Sequence, residues 1–217
     1  RIEIAVWERE DPVMFLITGA TGLIGRPLVD VLLAEGVPVR AVSREPGAAR
    51  LPRGVELAAG DPRRPDMLAQ ALQGVSALFV HPRAVGDGEA AGKLVALAAE
   101  QGVRRVVALS AINVEDEPAH QPSRFNGDRN REVEEAVARG GLPWVSVRPT
   151  SFAVNTIGMW AGQIRAGDVV RGPHATFAEA LVHERDLAEV IARALQDHGL
   201  DGRRIPVTGP QSLTHEE

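Results

Sequence analysis

The 217-residue chain has no cysteine, which excludes disulfides, thiolate nucleophiles and thiolate metal sites. It has no tyrosine either, so no phenol is available anywhere to pass a proton. It lacks a basic excess: 24 Lys and Arg stand against 29 Asp and Glu, a formal charge of -5. Without a basic field, a nucleic-acid partner is not expected. The pairs Arg63-Arg64, Arg104-Arg105 and Arg203-Arg204 are scattered and read as solvated faces. No apolar run is long enough to span a bilayer, and the charged opening RIEIAVWERED has no secretory apolar core. These absences leave a cytoplasmic protein, off the membrane, whose partner is a small molecule or none. Oligomeric state leaves no mark on the sequence.

The hydrophobic fraction of 44% is ordinary and suffices for a core without staples. Apolar runs of strand length alternate with helical patterns. VMFLIT (13–18), VPVRAV (37–42), VELAAG (55–60), SALFV (76–80), RRVVALS (104–110), PWVSVRP (143–149) and RRIPVTG (203–209) read as strands. Helices are expected after the first strand to about Glu35, through 67–72, and over 88–101, 128–139 and 186–197. Strand-helix alternation with apolar strands specifies an α/β fold, a doubly wound parallel sheet with helices on both faces. Residues 149–183 are less regular.

Both ends are unusual. Residues 1–13 precede Met14 and are a leader, an artificial remnant or an extra strand, since Ile2, Ile4 and Val6 alternate. At the other end, Thr214 with Glu217 forms a capping box for a helix that never follows. The chain is therefore expected to stop short of its natural end. Residues 14–150 are expected to form a dinucleotide-binding domain, and 151–217 an incomplete substrate-side region continuous with it.

The stretch FLITGATGLIGRPLV (15–29) sets three glycines between two segments meant for burial. Glycine weakens regular structure by roughly 0.5–1 kcal/mol, so bare backbone is needed here. The turn after the first strand of a doubly wound sheet lies where ligands bind. Gly19 permits the tight turn, Gly22 lets a diphosphate approach, and Gly25 lets the helix pack on the sheet. The N–H groups and dipole at the helix start favour phosphates. The glycine spacing alone is a weak signal; its place in the first βαβ unit strengthens it. After the second strand, where an NAD site carries an acid for the ribose, the chain has Ser43-Arg44. A guanidinium grips a 2′-phosphate in two prongs, so NADP(H) is expected over NAD(H).

GATGLIGRPLV, VSRE after the second strand, AGD (59–61), LSA (109–111), GGLPWVSVRPTSFAVN (140–155) and LVHERDLAEVIARAL (181–195) together resemble the NmrA-like proteins. These form an atypical branch of the short-chain dehydrogenase/reductase superfamily, with a Rossmann fold. The resemblance implies that Gly19, Thr21, Gly22, Leu23, Ile24 and Gly25 cradle the diphosphate. It places Ser43 and Arg44 at the adenosine ribose, Asp61 by the adenine, and His81 and Pro82 at the cofactor's border. Ser110 and Ala111 would line the nicotinamide side, and Pro149, Thr150, Ser151 and Phe152 would close over it, with Asn155 nearby. Asp61 is equally open to a turn role and His81 to capping a strand end. Asp186 is expected as the N-cap of its helix, and Met159 and Trp160 as pocket wall or core.

Relatives in this superfamily typically use a Tyr-x-x-x-Lys pair on the helix before the sixth strand, where lysine lowers the tyrosine's pKa. Here that helix reads FNGDRNREVEEAVARGG. One register offers Phe125 and Arg129, the other Asn126 and Asn130, and neither supplies an acid. Ser110 has no evident base, His81 and His183 depend on the fold, and Asp128 and Glu132 read as solvated carboxylates sharing a helix face. No catalytic residue and no metal site are assigned. Three functions remain open: an NADPH-dependent reductase of a small electrophile such as a quinone, a non-catalytic NADP(H) sensor, and an isomerase or epimerase.

Overall fold

The computed structural model describes residues 13–167, 169–172 and 174–216. The possible strand over residues 2–6 and the Glu217 partner of the capping box lie outside the described residues.

The chain begins with β1 (Met14–Ile17), α1 (Gly25–Ala34), β2 (Val39–Ser43) and β3 (Glu56–Ala59). It continues with α2 (Ala69–Leu72), β4 (Val75–Val80), α3 (Pro82–Val85), α4 (Gly88–Glu100) and β5 (Arg105–Leu109). Then come α5 (Pro122–Phe125), α6 (Asn130–Arg139), β6 (Trp144–Pro149) and α7 (Asn155–Ala166). The last elements are β7 (Ala178–Glu179), α8 (Glu184–Gln196), β8 (Arg203–Val207) and β9 (Leu213–Thr214). Seven strands form one parallel sheet in the order β3-β2-β1-β4-β5-β6-β8. Chain order reverses between β1 and β4, which opens a crevice beyond their carboxyl ends.

Successive strand residues point to opposite faces, and here both faces are buried. Phe15, Ile17 and Phe79 pack with Leu28 and Leu32 of α1 and with Leu187, Ile191 and Leu195 of α8. Leu16, Leu78 and Val106 pack on the other side with Leu72 of α2, Leu94 of α4 and Val133 of α6. Burying one such Leu or Phe contributes about 2 kcal/mol. The apolar strand runs follow from this double coverage.

Several expectations change. β3 is an edge strand with Leu57 40% exposed, held partly by the Arg40–Glu56 pair at 2.8 Å. Arg105 is not solvated: it is 1% exposed and donates to the carbonyls of Ala194 and Asp197 at 2.7 and 2.5 Å. It also pairs with Asp201, so a buried guanidinium caps the C-terminal end of α8. Asp186 is not the N-cap of α8; His183 is, its Nδ1 accepting from the Arg185 N–H at 3.1 Å, and Asp186 sits in the first turn. Thr214 starts no helix, because it lies in β9, antiparallel to β7. The irregular stretch after β6 contains α7, none of whose residues is buried.

Candidate functional site

Thr18 fixes the geometry where β1 ends. Its hydroxyl donates to the Phe79 carbonyl at 2.9 Å and accepts the His81 N–H at 2.8 Å, tying β1 to the end of β4. Gly19 then takes φ +68°, a left-handed conformation that favours glycine. Gly22 closes the turn by donating to the Gly19 carbonyl at 2.9 Å. A Cβ on Gly25 would stand 2.2 Å from that same oxygen and 2.7 Å from Ala20 Cα. Only a bare residue lets α1 begin there.

The turn forms one wall of a cleft of about 1700 Å³ across the carboxyl ends of the strands. The structure brings Gly19, Thr21, Gly22, Leu23 and Ile24 to this cleft together with Ser43, Arg44, Asp61, His81 and Pro82. Ser110, Ala111, Pro149, Thr150, Ser151, Phe152 and Asn155 complete it from β5 and β6. Gly25 lies beneath the turn, outside the cleft wall, and the Ile24 side chain is buried in the core.

At the β2 end, the Ser43 hydroxyl accepts from the Glu45 N–H at 3.1 Å. Arg44 is exposed and makes no hydrogen bond or ion pair among the described residues. Asp61 closes its own turn by accepting from the Arg63 N–H at 3.0 Å, while still lining the cleft. His81 is the N-cap of α3, its Nδ1 accepting from the Arg83 N–H at 3.2 Å. Burial, then the nearby Arg83 charge, push its pKa down to about 4. The ring is therefore neutral at ordinary pH, and with Nδ1 accepting, its proton sits on Nε2. His183 caps α8 and is not in the cleft wall.

The wall after β6 is pinned from a distant segment. Thr150 Oγ1 donates to the Ala180 carbonyl at 2.6 Å and Ser151 Oγ to Glu179 at 2.7 Å. Phe152 bridges Val182, and buried Glu184 accepts from the Val154 N–H at 2.8 Å.

Around α6 the carboxylates are bound, not solvated. Asp128 precedes the helix, is buried, and holds Arg83 by two hydrogen bonds at 2.6 and 2.9 Å. Glu132 pairs with Arg124 at 2.5 Å, so the two acids share no helix face. Glu134, 3% exposed, accepts from Ser146 at 2.6 Å, from Arg148 at 3.0 and 2.6 Å, and from Arg204 at 2.8 Å. Burial opposes its ionisation, but hydrogen bonds led by Arg148 and Ser146 hold its pKa at about 2. Arg204 stays exposed, as expected of a solvated face, but its guanidinium is engaged by this carboxylate. The Ser110 hydroxyl lies near this carboxylate but outside hydrogen-bond geometry, and is buried without a partner. Of the two registers on the preceding segment, Asn126 and Asn130 line the cleft, and Phe125 and Arg129 do not. Sequence reasoning missed Asn113, Asp116, His120, Phe177 and Glu179, which also line it; no spacing signal marks them, because they sit on loops and a two-residue strand. Among the described residues no group of His, Asp and Glu is placed to hold a metal, and no helix is long and apolar enough to cross a membrane.

The residues fit a dinucleotide. The cleft, at about 1700 Å³, is roomy enough for one, and the turn offers bare backbone that a Cβ would fill. Comparison with known proteins agrees. Residues 19–198 match a family model described as NAD(P)H-binding. A (4-alkanoyl-5-oxo-2,5-dihydrofuran-3-yl)methyl phosphate reductase of Streptomyces griseus subsp. griseus is 39% identical over 94% of this chain and 71% of its own length. An NAD(P)H azoreductase of Xenophilus azovorans is 33% identical over the same shares. In fold, the chain is similar to an NADPH-dependent quinone oxidoreductase from Escherichia coli, with a TM-score of 0.78 at 23% identity over 93% of this chain and 70% of that one. The chain belongs to the NAD(P)H-binding family, in the NmrA-like atypical branch of the short-chain dehydrogenase/reductase superfamily.

Proposed function

We propose that the chain is an NADPH-dependent reductase of a small electrophilic acceptor, of which a quinone is the simplest, working without a Tyr-Lys pair. The observation that carries this is one continuous cleft running from the glycine turn, past an unpaired arginine, to an amide-lined end with no phenol. The N–H groups of the turn and the start of α1 would hold the diphosphate. Ser43 and Arg44 would take the 2′-phosphate and so favour NADP(H) over NAD(H). Asp61 would border the adenine, with His81 and Pro82 at mid-cleft and Ser110 and Ala111 beside the nicotinamide. Pro149 to Phe152 would close over the nicotinamide. A bound reduced dinucleotide supplies hydride to the acceptor.

The chain's own residues supply orientation more than acid. His81 holds its single proton on Nε2 and serves as a donor of a hydrogen bond, not as a proton source, down to about pH 4. Where an acceptor needs a proton, water provides it. That the similar proteins of S. griseus and X. azovorans are reductases supports the reading.

A panel of quinones and enones with NADPH, followed at the nicotinamide absorbance, tests it. The expected result is loss of reduced-cofactor signal with at least one acceptor. A flat trace across the panel, with NADPH still tightly bound, would replace the reductase by a dinucleotide sensor.

A further inference from the structure

Beyond β5 and β6 the cleft has two chemically unlike walls. One comes from the chain between β5 and α6 and is polar, lined by Asn113, Asp116, Ser123 and Asn130. The other comes from the chain that follows β6 and is apolar, lined by Phe152, Met159 and Phe177. Phe177 is 51% exposed and Met159 50%. The Phe177 ring is held by the edge-on ring of His215, 5.6 Å away, which packs in turn on Trp160 at 5.2 Å. A fixed aromatic face and an adaptable thioether together suit a flat ring.

The polar wall leaves one kind of group free. Asn113 donates an amide N–H to the His120 carbonyl at 3.5 Å, and Asn130 donates one to the Ser123 hydroxyl at 3.4 Å. Neither Oδ1 accepts a hydrogen bond among the described residues. The Asp116 carboxylate is exposed and has no hydrogen-bond or ion-pair partner among them. Asp128 adds nothing, because both its oxygens are taken by Arg83. Amide and carboxylate oxygens accept and do not donate. Three open acceptors therefore stand along this wall, and a ligand satisfies them by donating.

We infer that the acceptor is a flat ring whose far edge carries hydroxyl groups. The ring sits on Phe177 and Met159, and the hydroxyls donate to Asn113, Asp116 and Asn130. The inference rests on the reductase reading and narrows its substrate. The edge hydroxyls take no part in the redox step. Hydride from the reduced dinucleotide and one proton from water convert a quinone to its hydroquinone, the dinucleotide is oxidised, and the hydroxyls leave unchanged.

The test uses the whole chain with three neutral probes. These are a naphthoquinone carrying two hydroxymethyl groups on the ring remote from its carbonyls, the dimethyl ether of that compound, and its diethyl analogue. The ether accepts without donating, and the diethyl compound does neither. Binding of each to the NADP⁺-loaded protein is measured by titration, and turnover with NADPH by absorbance. The hydroxymethyl probe should bind about tenfold tighter than the diethyl one, the size of one or two satisfied hydrogen bonds, and the ether no tighter than the diethyl. Two hydroxyls cannot both be placed on Asn130, so replacing Asn113 and Asp116 together by Ala should cut the advantage to about threefold or less. Both positions lie outside any helix or strand, and reading a ratio of two probes cancels a general loss of protein. A hydroxymethyl advantage that depends on these residues, with no turnover of any probe, keeps the hydroxyl-reading wall and removes the reductase reading. Turnover with equal affinity for the three probes, or an advantage untouched by the double substitution, overturns the inference and keeps the reductase. Binding of none of the probes overturns the inference as well.

Discussion

Glu134 of α6 and Arg148 of β6 are locked by a two-pronged pair, Nε to Oε2 at 3.0 Å and Nη2 to Oε1 at 2.6 Å. Arg204 from β8 and Ser146 from within β6 meet the same carboxylate. One buried acid thus joins a helix to two neighbouring strands beneath Ser110. Its folded pKa of about 2 lies below the ordinary carboxyl value of 4.5. The stability it gives is complete above about pH 4.5 and is lost as pH falls toward 2. Glu134→Gln leaves Arg204 without its anion and Arg148 with only the exposed Glu115, at 2.9 Å, and should cost about 3 kcal/mol. Urea denaturation of the variant at neutral pH and of the parent from pH 5 to 2 checks both statements.

His81 gives a second pH window. Its folded pKa of about 4 lies below the ordinary 6.5, so the unfolded chain binds the proton first as pH falls. Stability is complete above pH 6.5 and declines as pH drops toward 4. Asn keeps an N-cap acceptor for the Arg83 N–H but does not titrate. His81→Asn should therefore flatten the stability profile between pH 6.5 and 4, measured by denaturant midpoints.

Gly25→Ala sets a methyl against the Gly19 carbonyl, where the built Cβ falls at 2.2 Å. The backbone contact cannot relax as a flexible side chain would. The substitution should lower stability by about 3 kcal/mol and weaken dinucleotide uptake by displacing the turn. Thermal unfolding with and without NADPH separates the two effects.

Arg44, at the end of β2, has no partner among the described residues, so its replacement should act on affinity and not on folding. Arg44→Ala should raise the Kd for NADPH by about tenfold to a hundredfold, the range of a charge-assisted hydrogen bond, and leave NADH nearly unchanged. Calorimetric titration with both dinucleotides reads this directly. Equal losses for the two would remove Arg44 from the 2′-phosphate.

The fold was legible because a sheet covered on both faces makes its strands apolar throughout, as in SALFV and RVVAL. The turn was legible because Gly19 and Gly25 satisfy local backbone demands. Residues whose partners lie far along the chain were not. Glu134 meets Arg204 across 70 positions, and Arg105 caps a helix 89 residues later; nothing local separates either from a solvated charge. Asp128 looked like a helical acid because the helix start, Asn130, is not marked by a side-chain cap. His183 displaced Asp186 as a cap because an imidazole Nδ1 accepts from the second helical N–H as a carboxylate would. α7 escaped notice because a helix with no buried residue carries no apolar stripe to read.

The central claim is that the bare turn at residues 19–25 receives the diphosphate of NADP(H), with Gly22 in closest approach. Calorimetric titration of NADPH into the unaltered chain and into Gly22→Val tests it most directly. A Cβ at this position meets only the Gly19 carbonyl, at 3.2 Å, so the variant should fold. The account predicts one dinucleotide bound per unaltered chain and none by the variant. Equal uptake by both, or no uptake by the unaltered chain, would contradict it.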